Sequence, residues 1–267
     1  MRLRAAAVSD VGAHRATNQD AAFTASWGAA VADGVGGGPA GDLASAAFVH
    51  RLAAGPLEGI HAEQLADSIR SANWDLRLHV QRDPALHGMA TTFTGLFVSR
   101  DGELLLAHTG DSRAYLLRSG VLSQQSRDDS LVQALIDQGL VSPEDAASHP
   151  RRNVITASLS GAEHDEATVA AHDHQAGDRW LLCSDGLTDY VPEADVRRIL
   201  LDHRAVEDAA AACVTLALDA GTRDNVTVVV ADVVASDLEP ADAGAVTGAT
   251  RYYGAAAERF MEGLESA

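Results

Sequence analysis

Four aspartates stand where apolar runs stop: Asp33 in Val31-Ala32-Asp33-Gly34, Asp111 in Thr109-Gly110-Asp111-Ser112, Asp185 in Ser184-Asp185-Gly186, and Asp224 in Arg223-Asp224-Asn225. Singly, each has a plain reading, because Asp-Gly and its relatives are turn pairs. Together they suggest a centre. If the strands that carry them are neighbours, the carboxylates meet at one end of a sheet. Crowded carboxylates repel one another unless a cation neutralises them. Hard oxygen ligands with water are what Mg²⁺ or Mn²⁺ takes. Gly34, Gly36, Gly37 and Gly38 would let backbone carbonyls approach an ion, or would simply form a flexible turn before a helix. They form no phosphate-binding P-loop, which needs a lysine. All 20 basic residues here are arginine.

Other chemistries find little support. His172-Asp173-His174 puts two imidazoles on one face of a strand, but no third ligand stands at a zinc-like spacing. No Gly-x-Ser-x-Gly elbow is present for a serine nucleophile. The absence of lysine excludes a Schiff base. Cys183 and Cys213 lie 30 positions apart in apolar runs and read as buried thiols in a reducing cytosol. A formal net charge of −18 argues against nucleic acid and anionic membranes as partners. No apolar run approaches the ~20 residues that span a bilayer, and the first residues lack the apolar core of a signal peptide. The expectation is a cytoplasmic protein with no membrane insertion.

The elements that would carry these residues follow from periodicity. Strands are expected over 2–8, 21–34 (interrupted near Trp27-Gly28), 90–99, 102–108, 113–118, 167–172, 179–184 and 226–230. Helices are expected from Pro39 to Ala54, His61 to Arg82, 129–138, 192–202 and 205–218. Leu65, Ile69, Ala72, Leu76 and Val80 fall on one face of the second. Gly139 should stop the third. The order does not alternate strand and helix, so a doubly wound parallel sheet is disfavoured. An α+β layered fold with mostly antiparallel strands is expected. From Ser236 the composition shifts to Ala, Gly, Asp and Glu. Residues 236–250 read as a linker and 251–263 as a short helix, leaving 1–235 as the catalytic domain and 236–267 as a tail.

The motifs resemble, in order, those of the metal-dependent protein phosphatase 2C family, bacterial Ser/Thr branch. They are Arg15-x-x-Asn18-x-Asp20, Ala32-Asp33-Gly34-x-Gly36-Gly37, Ala90-Thr91-Thr92, Gly110-Asp111-Ser112-Arg113, Ser142-Pro143-Glu144 with His149-Pro150-x-x-Asn153, Ser184-Asp185-Gly186-Leu187-Thr188-Asp189, and Asp224-Asn225-Val226-Thr227. The resemblance spans residues 1 to about 234. It implies a central antiparallel β-sandwich flanked by helices on both sides, with metals in a cleft at one end. It implies Asp33 as the bridge between two core Mn²⁺ or Mg²⁺ ions, with the Gly34 carbonyl on one of them. Asp185 and Asp224 would complete the first site, and Asp111 with Asp185 the third site of bacterial members. Arg15 would hold the substrate phosphate by its planar fork, with Gln19, Asp20 and Asn225 in the outer shell. Residues 140–166 would form a flap. The implied reaction is hydrolysis of phosphoserine and phosphothreonine in proteins by a metal-activated water, opposing a Ser/Thr kinase.

Three departures stand out. Gln19 occupies a position where the family usually has Glu. Val35 stands where animal members carry a histidine. Asp128-Asp129-Ser130 replaces the family's Asp-His-Ser. Two other readings stay open: a catalytically weak regulatory module built on this fold, which Gln19 favours, and a metal-dependent phosphoesterase acting on small molecules.

Overall fold

The computed structural model describes residues 1–35, 40–146, 148–235 and 249–259. The first half of the chain supplies strands β1 (Arg2–Asp10), β2 (Asp20–Ala25) and β3 (Gly28–Val35), then helices α1 (Gly41–Ala53) and α2 (Ala62–Arg82). Next come β4 (Ala90–Thr91), β5 (Phe93–Val98), β6 (Leu104–Thr109), β7 (Arg113–Arg118) and β8 (Val121–Gln124). Short helices α3 (Leu131–Asp137) and α4 (Pro143–Ala146) precede β9 (Thr168–His172) and β10 (Arg179–Cys183). The chain continues with α5 (Asp185–Thr188), α6 (Glu193–Asp202), α7 (Val206–Asp219), β11 (Val226–Val234) and β12 (Arg251–Gly254).

The strands form two sheets, ordered β1-β11-β10-β7-β8 and β12-β2-β3-β5-β6-β9, with β4 paired beside β3. Every ladder is antiparallel. Strand alternation explains the layers. In β11, Val226, Val228 and Val230 face α6 and α7, while Val229, Ala231 and Val233 face the other sheet. In β3, Ala30 and Ala32 face α1 and α2, while Ala29 and Val31 face the sheet–sheet interior. Both faces of each central strand are covered, which is why these strands read as continuous apolar runs. The expected α-β-β-α sandwich is observed.

Most expected elements stand within a few residues of their positions. Gly139 ends the turn after α3 with φ +69°. Pro39 and Gly36–Gly38 lie outside the described residues. Two elements escaped the periodicity. Strand β8 is a largely exposed edge that sets only Leu122 against the core, and α5 is a single turn. The helix expected over 251–263 is corrected in its first part. Residues 251–254 form β12 on the edge of β2, and 255–259 are helical. The edge of β2 decides this, because it offers Tyr252 and Tyr253 main-chain partners that an isolated turn lacks. Phe260 and Met261 lie outside the described residues.

Candidate metal and phosphate site

Register brings the aspartates together. Asp10 at the end of β1 pairs with Val226 at the start of β11. Cys183, ending β10, pairs with Val228 and with Arg113 at the start of β7. Asp20 pairs with Asp33 across β2 and β3. The end of β3 that carries Asp33 and the turns holding Asp111, Asp185 and Asp224 therefore lie at one end of the sandwich. They line a cleft of about 320 Å³ with Arg15, Gln19, Gly34, Val35, Thr92 and Asn225. Asn153 and Ile155 close one side from the 140–166 segment.

The backbone around Asp33 is held from several directions. Its amide donates to Thr92 Oγ1 (3.0 Å), and its carbonyl accepts from Thr92 N (2.8 Å) and Thr91 Oγ1 (3.0 Å). Thr92 Oγ1 also meets Ser112 Oγ at 2.7 Å, one residue after Asp111. The adjacent threonines thus tie the Asp33 end of β3 to the Asp111 turn, a role that residue type alone does not reveal. Gly34 is required by space: a Cβ there would lie 2.2 Å from the Gly41 carbonyl oxygen, at the start of α1. Gly186 is required likewise, since its Cβ would fall 1.9 Å from the Asn225 carbonyl oxygen.

Asn225 organises the opposite wall. Its Oδ1 accepts the Gln19 amide (2.9 Å), and its Nδ2 donates to the carbonyls of Val11 (2.9 Å) and Thr17 (3.1 Å). These bonds fix the 11–19 loop that carries Arg15. Arg15 donates to Asp224 Oδ2 at 2.6 Å while remaining 41% exposed. Asp20 lies behind Asp33, fully buried, with its Oδ2 accepting from Ser184 Oγ at 2.7 Å. Ser184 Oγ in turn accepts the Thr227 amide, so the residue before Asp185 anchors this wall.

Electrostatics give the cleft its character. Burial pushes Asp33 well above the usual carboxylate range, and repulsion from Asp20, Asp185, Asp111 and Asp224 adds to it. Burial does the same to Asp185, reinforced by Asp111 and Asp224. Asp20 and Asp111 are each pushed up to about 6, chiefly by burial. Buried Oδ1 atoms of Asp20 and Asp185 meet no hydrogen-bond donor. Unpartnered carboxylate oxygens among mutually repelling acids are what a dication satisfies, so these residues fit Mn²⁺ or Mg²⁺. Among the described residues, no three such side chains close on one point as a finished ligand shell. An ion that keeps several waters needs only one or two direct carboxylates.

The remaining candidates behave as ordinary structure. His174 Nε2 meets the Gly102 carbonyl (2.6 Å), and His172 stacks edge-on against Trp180. Both cysteines are free and buried. A cavity of about 400 Å³ lies at the other end of the sandwich, beside Arg4, Arg179 and Asp232. There Arg179 is already committed to Asp232 and to the carbonyls of Leu200, His203 and Arg204. No helix among the described residues is long and apolar enough to cross a membrane.

The sequence pattern of the protein phosphatase 2C family matches residues 13–217, and the chain belongs to that family. Among its relatives is the serine/threonine protein phosphatase PstP of Mycobacterium tuberculosis (strain H37Rv), 42% identical over 252 residues. That match covers 92% of this chain and 48% of the relative, so the chain spans about half the length of PstP. The serine/threonine phosphatase stp of Listeria innocua is 36% identical over 209 residues, 76% of this chain and 82% of the relative. The crystal structure of M. tuberculosis PstP/Ppp superposes with a TM-score of 0.81 at 41% identity, covering 88% of this chain and 100% of that one. A second structure, the PstP catalytic domain in complex with 2 manganese ions, gives a TM-score of 0.80 at 40% identity, covering 88% and 99%.

Proposed function

We propose that this chain is a metal-dependent serine/threonine protein phosphatase. The observation that carries the reading is the convergence of Asp33, Asp111, Asp185 and Asp224 in one cleft with Arg15 on its wall. Asp33, the Gly34 carbonyl, Asp185 and Asp224 would hold two core ions, and Asp111 with Asp185 a third. When bound, these ions supply Lewis acidity, lowering the pKa of water and neutralising phosphoryl charge. The relative that carries manganese supports the choice of metal.

The chain's own groups do the rest. Arg15 meets the phosphate of the substrate with its guanidinium, a geometry suited to two phosphoryl oxygens. It shares Asp224 with the metal site, so phosphate and cation binding are linked through one carboxylate. Asn225 and the paired threonines hold the loops at fixed spacing, which favours a single attack geometry. Val35 lines the cleft, so that position contributes no imidazole for protonating the leaving alkoxide.

The substrates on this reading are phosphorylated proteins. The partner is a Ser/Thr kinase whose products the enzyme reverses, and the setting is the cytoplasm, consistent with two free buried cysteines. Phosphate release should be measured from a phosphothreonine peptide, nucleotides and sugar phosphates, with Mn²⁺ and with chelator. Preference for the peptide with full dependence on Mn²⁺ is expected. Equal or better turnover of small phosphoesters would favour the small-molecule phosphoesterase instead.

A further inference from the structure

We propose that Asp129 is a positioning residue that couples the Asp111 turn to the flap. The inference rests on the phosphatase reading above. The turn Gly110-Asp111-Ser112 joins β6 to β7, and Asp129 grips it at Gly110 twice. The Asp129 amide donates to the Gly110 carbonyl (2.7 Å), and its Oδ2 accepts the Gly110 amide (3.0 Å). The Asp129 carbonyl meanwhile accepts the amide of Thr156 in the flap at 2.7 Å.

The next two residues extend this seam. Ser130 pairs with Ile155 in an antiparallel bridge, and the Leu131 amide donates to the Val154 carbonyl at 2.8 Å. Ser130 also caps α3 by accepting the Gln133 amide at 3.1 Å, which fixes where the seam begins. Asn153 and Ile155 line the same cleft as Asp111. A shift of the flap at 154–156 thus passes directly to the metal-facing turn through Asp129, whereas the pairing of Leu159 with Thr91 reaches that turn only by way of Thr92 and Ser112. On the far side of Asp111, Asp128 grips Arg113 through Nε, at 3.0 Å to each oxygen, and through NH2 at 2.7 Å. That carboxylate steadies β7, but Asp129 is the neighbour whose side chain holds Gly110 and whose main chain holds the flap. A carboxylate stands here in place of the family's usual histidine.

Two variants separate position from charge. Asp129→Asn removes the charge and keeps an oxygen to accept the Gly110 amide. Asp129→Ala removes both. Loss of an outer-shell partner typically weakens metal binding by about tenfold or more. We expect Asp129→Ala to weaken Mn²⁺ binding by calorimetry roughly tenfold, to speed amide exchange across residues 153–156, and to raise KM for a phosphopeptide more than it lowers kcat. Asp129→Asn should stay near wild type in all three. Should Asp129→Ala not fold, Asp129→Ser, one bond shorter than aspartate, takes its place. Equal impairment of the Asn and Ala variants would overturn the proposal in favour of charge, as would unchanged flap exchange in the Ala variant. Binding and exchange are read without turnover, so a wild-type protein inactive on phosphopeptides would refute the phosphatase reading separately.

Discussion

At the scale of single residues, Asp185 shows how function and stability oppose each other. Its carboxylate is buried, repelled by Asp111 and Asp224, and has one oxygen without a donor. Asp185→Asn relieves that repulsion but removes a charge that the proposed metal site would need. The variant should lose at least about a hundredfold in kcat, while its chelated form melts higher than chelated wild type. Phosphopeptide kinetics with calorimetry check both, and near wild-type turnover by a folded, Mn²⁺-saturated variant would contradict the assignment. Arg15 offers a test of geometry rather than charge. Lysine keeps the cation but not the planar fork, so Arg15→Lys should raise KM for a phosphopeptide roughly tenfold, the worth of one charge-assisted hydrogen bond. An unchanged KM would make Arg15 a partner of Asp224 and nothing more.

At the scale of elements, the segment after β11 changes role between sequence and structure. Read from the sequence, the tail is either separable or a helix packed on the domain through Tyr252, Tyr253, Phe260 and Met261. In the fold, β12 extends the sheet at β2, Tyr253 meets Thr24 at 3.3 Å, and His50 Nε2 lies 2.7 Å from the Ala256 carbonyl. Ala255 and Ala256 are fully buried in the cluster beneath α1, and Arg259 pairs with Asp42 in the first turn of that helix. Truncation after Ala235 uncovers the β2 edge and part of that cluster. We expect a fall in Tm of about 5 °C or more, the equivalent of about 2 kcal/mol for a domain this size, and a greater tendency to associate through the bared edge. A truncated protein that melts with the full chain would show that β12 contributes nothing to stability.

For the molecule as a whole, the acidic end of the sandwich costs stability that, on the proposed reading, a bound cation would return. The native carboxyls of Asp20 and Asp111 sit near 6, above the ordinary 3.8. Between those values the native state binds more protons than the unfolded chain, so stability falls as pH rises. Tm of the chelated protein should therefore drop as pH rises from 3.8 through about 6, with Asp33 and Asp185, also raised by burial, adding to the fall. Added Mn²⁺ should raise Tm most at the upper end, because it replaces the protons. Scanning calorimetry across pH, with and without metal, reads both. A metal-free Tm that climbs through this window would mean that these acids are not the crowded groups described.

What was legible in the sequence is what local physics writes locally. Continuous apolar runs mark the central strands, the helical spacing of Leu65, Ile69, Ala72 and Leu76 marks α2, and Asp-Gly pairs mark strand ends to within a residue or two. The order of acidic motifs was enough to name the family and its chemistry. The tertiary structure decided what depends on partners distant in the chain. Thr92 reaches Ser112, Asn225 reaches Gln19, and Asp129 reaches both Gly110 and Thr156. No periodicity records these contacts, because each satisfies a polar group supplied by another loop. Residues 251–254 make the same point for an element. Their aromatic pair and glycine suit a helix start or a strand, and only the unpaired edge of β2 selects the strand.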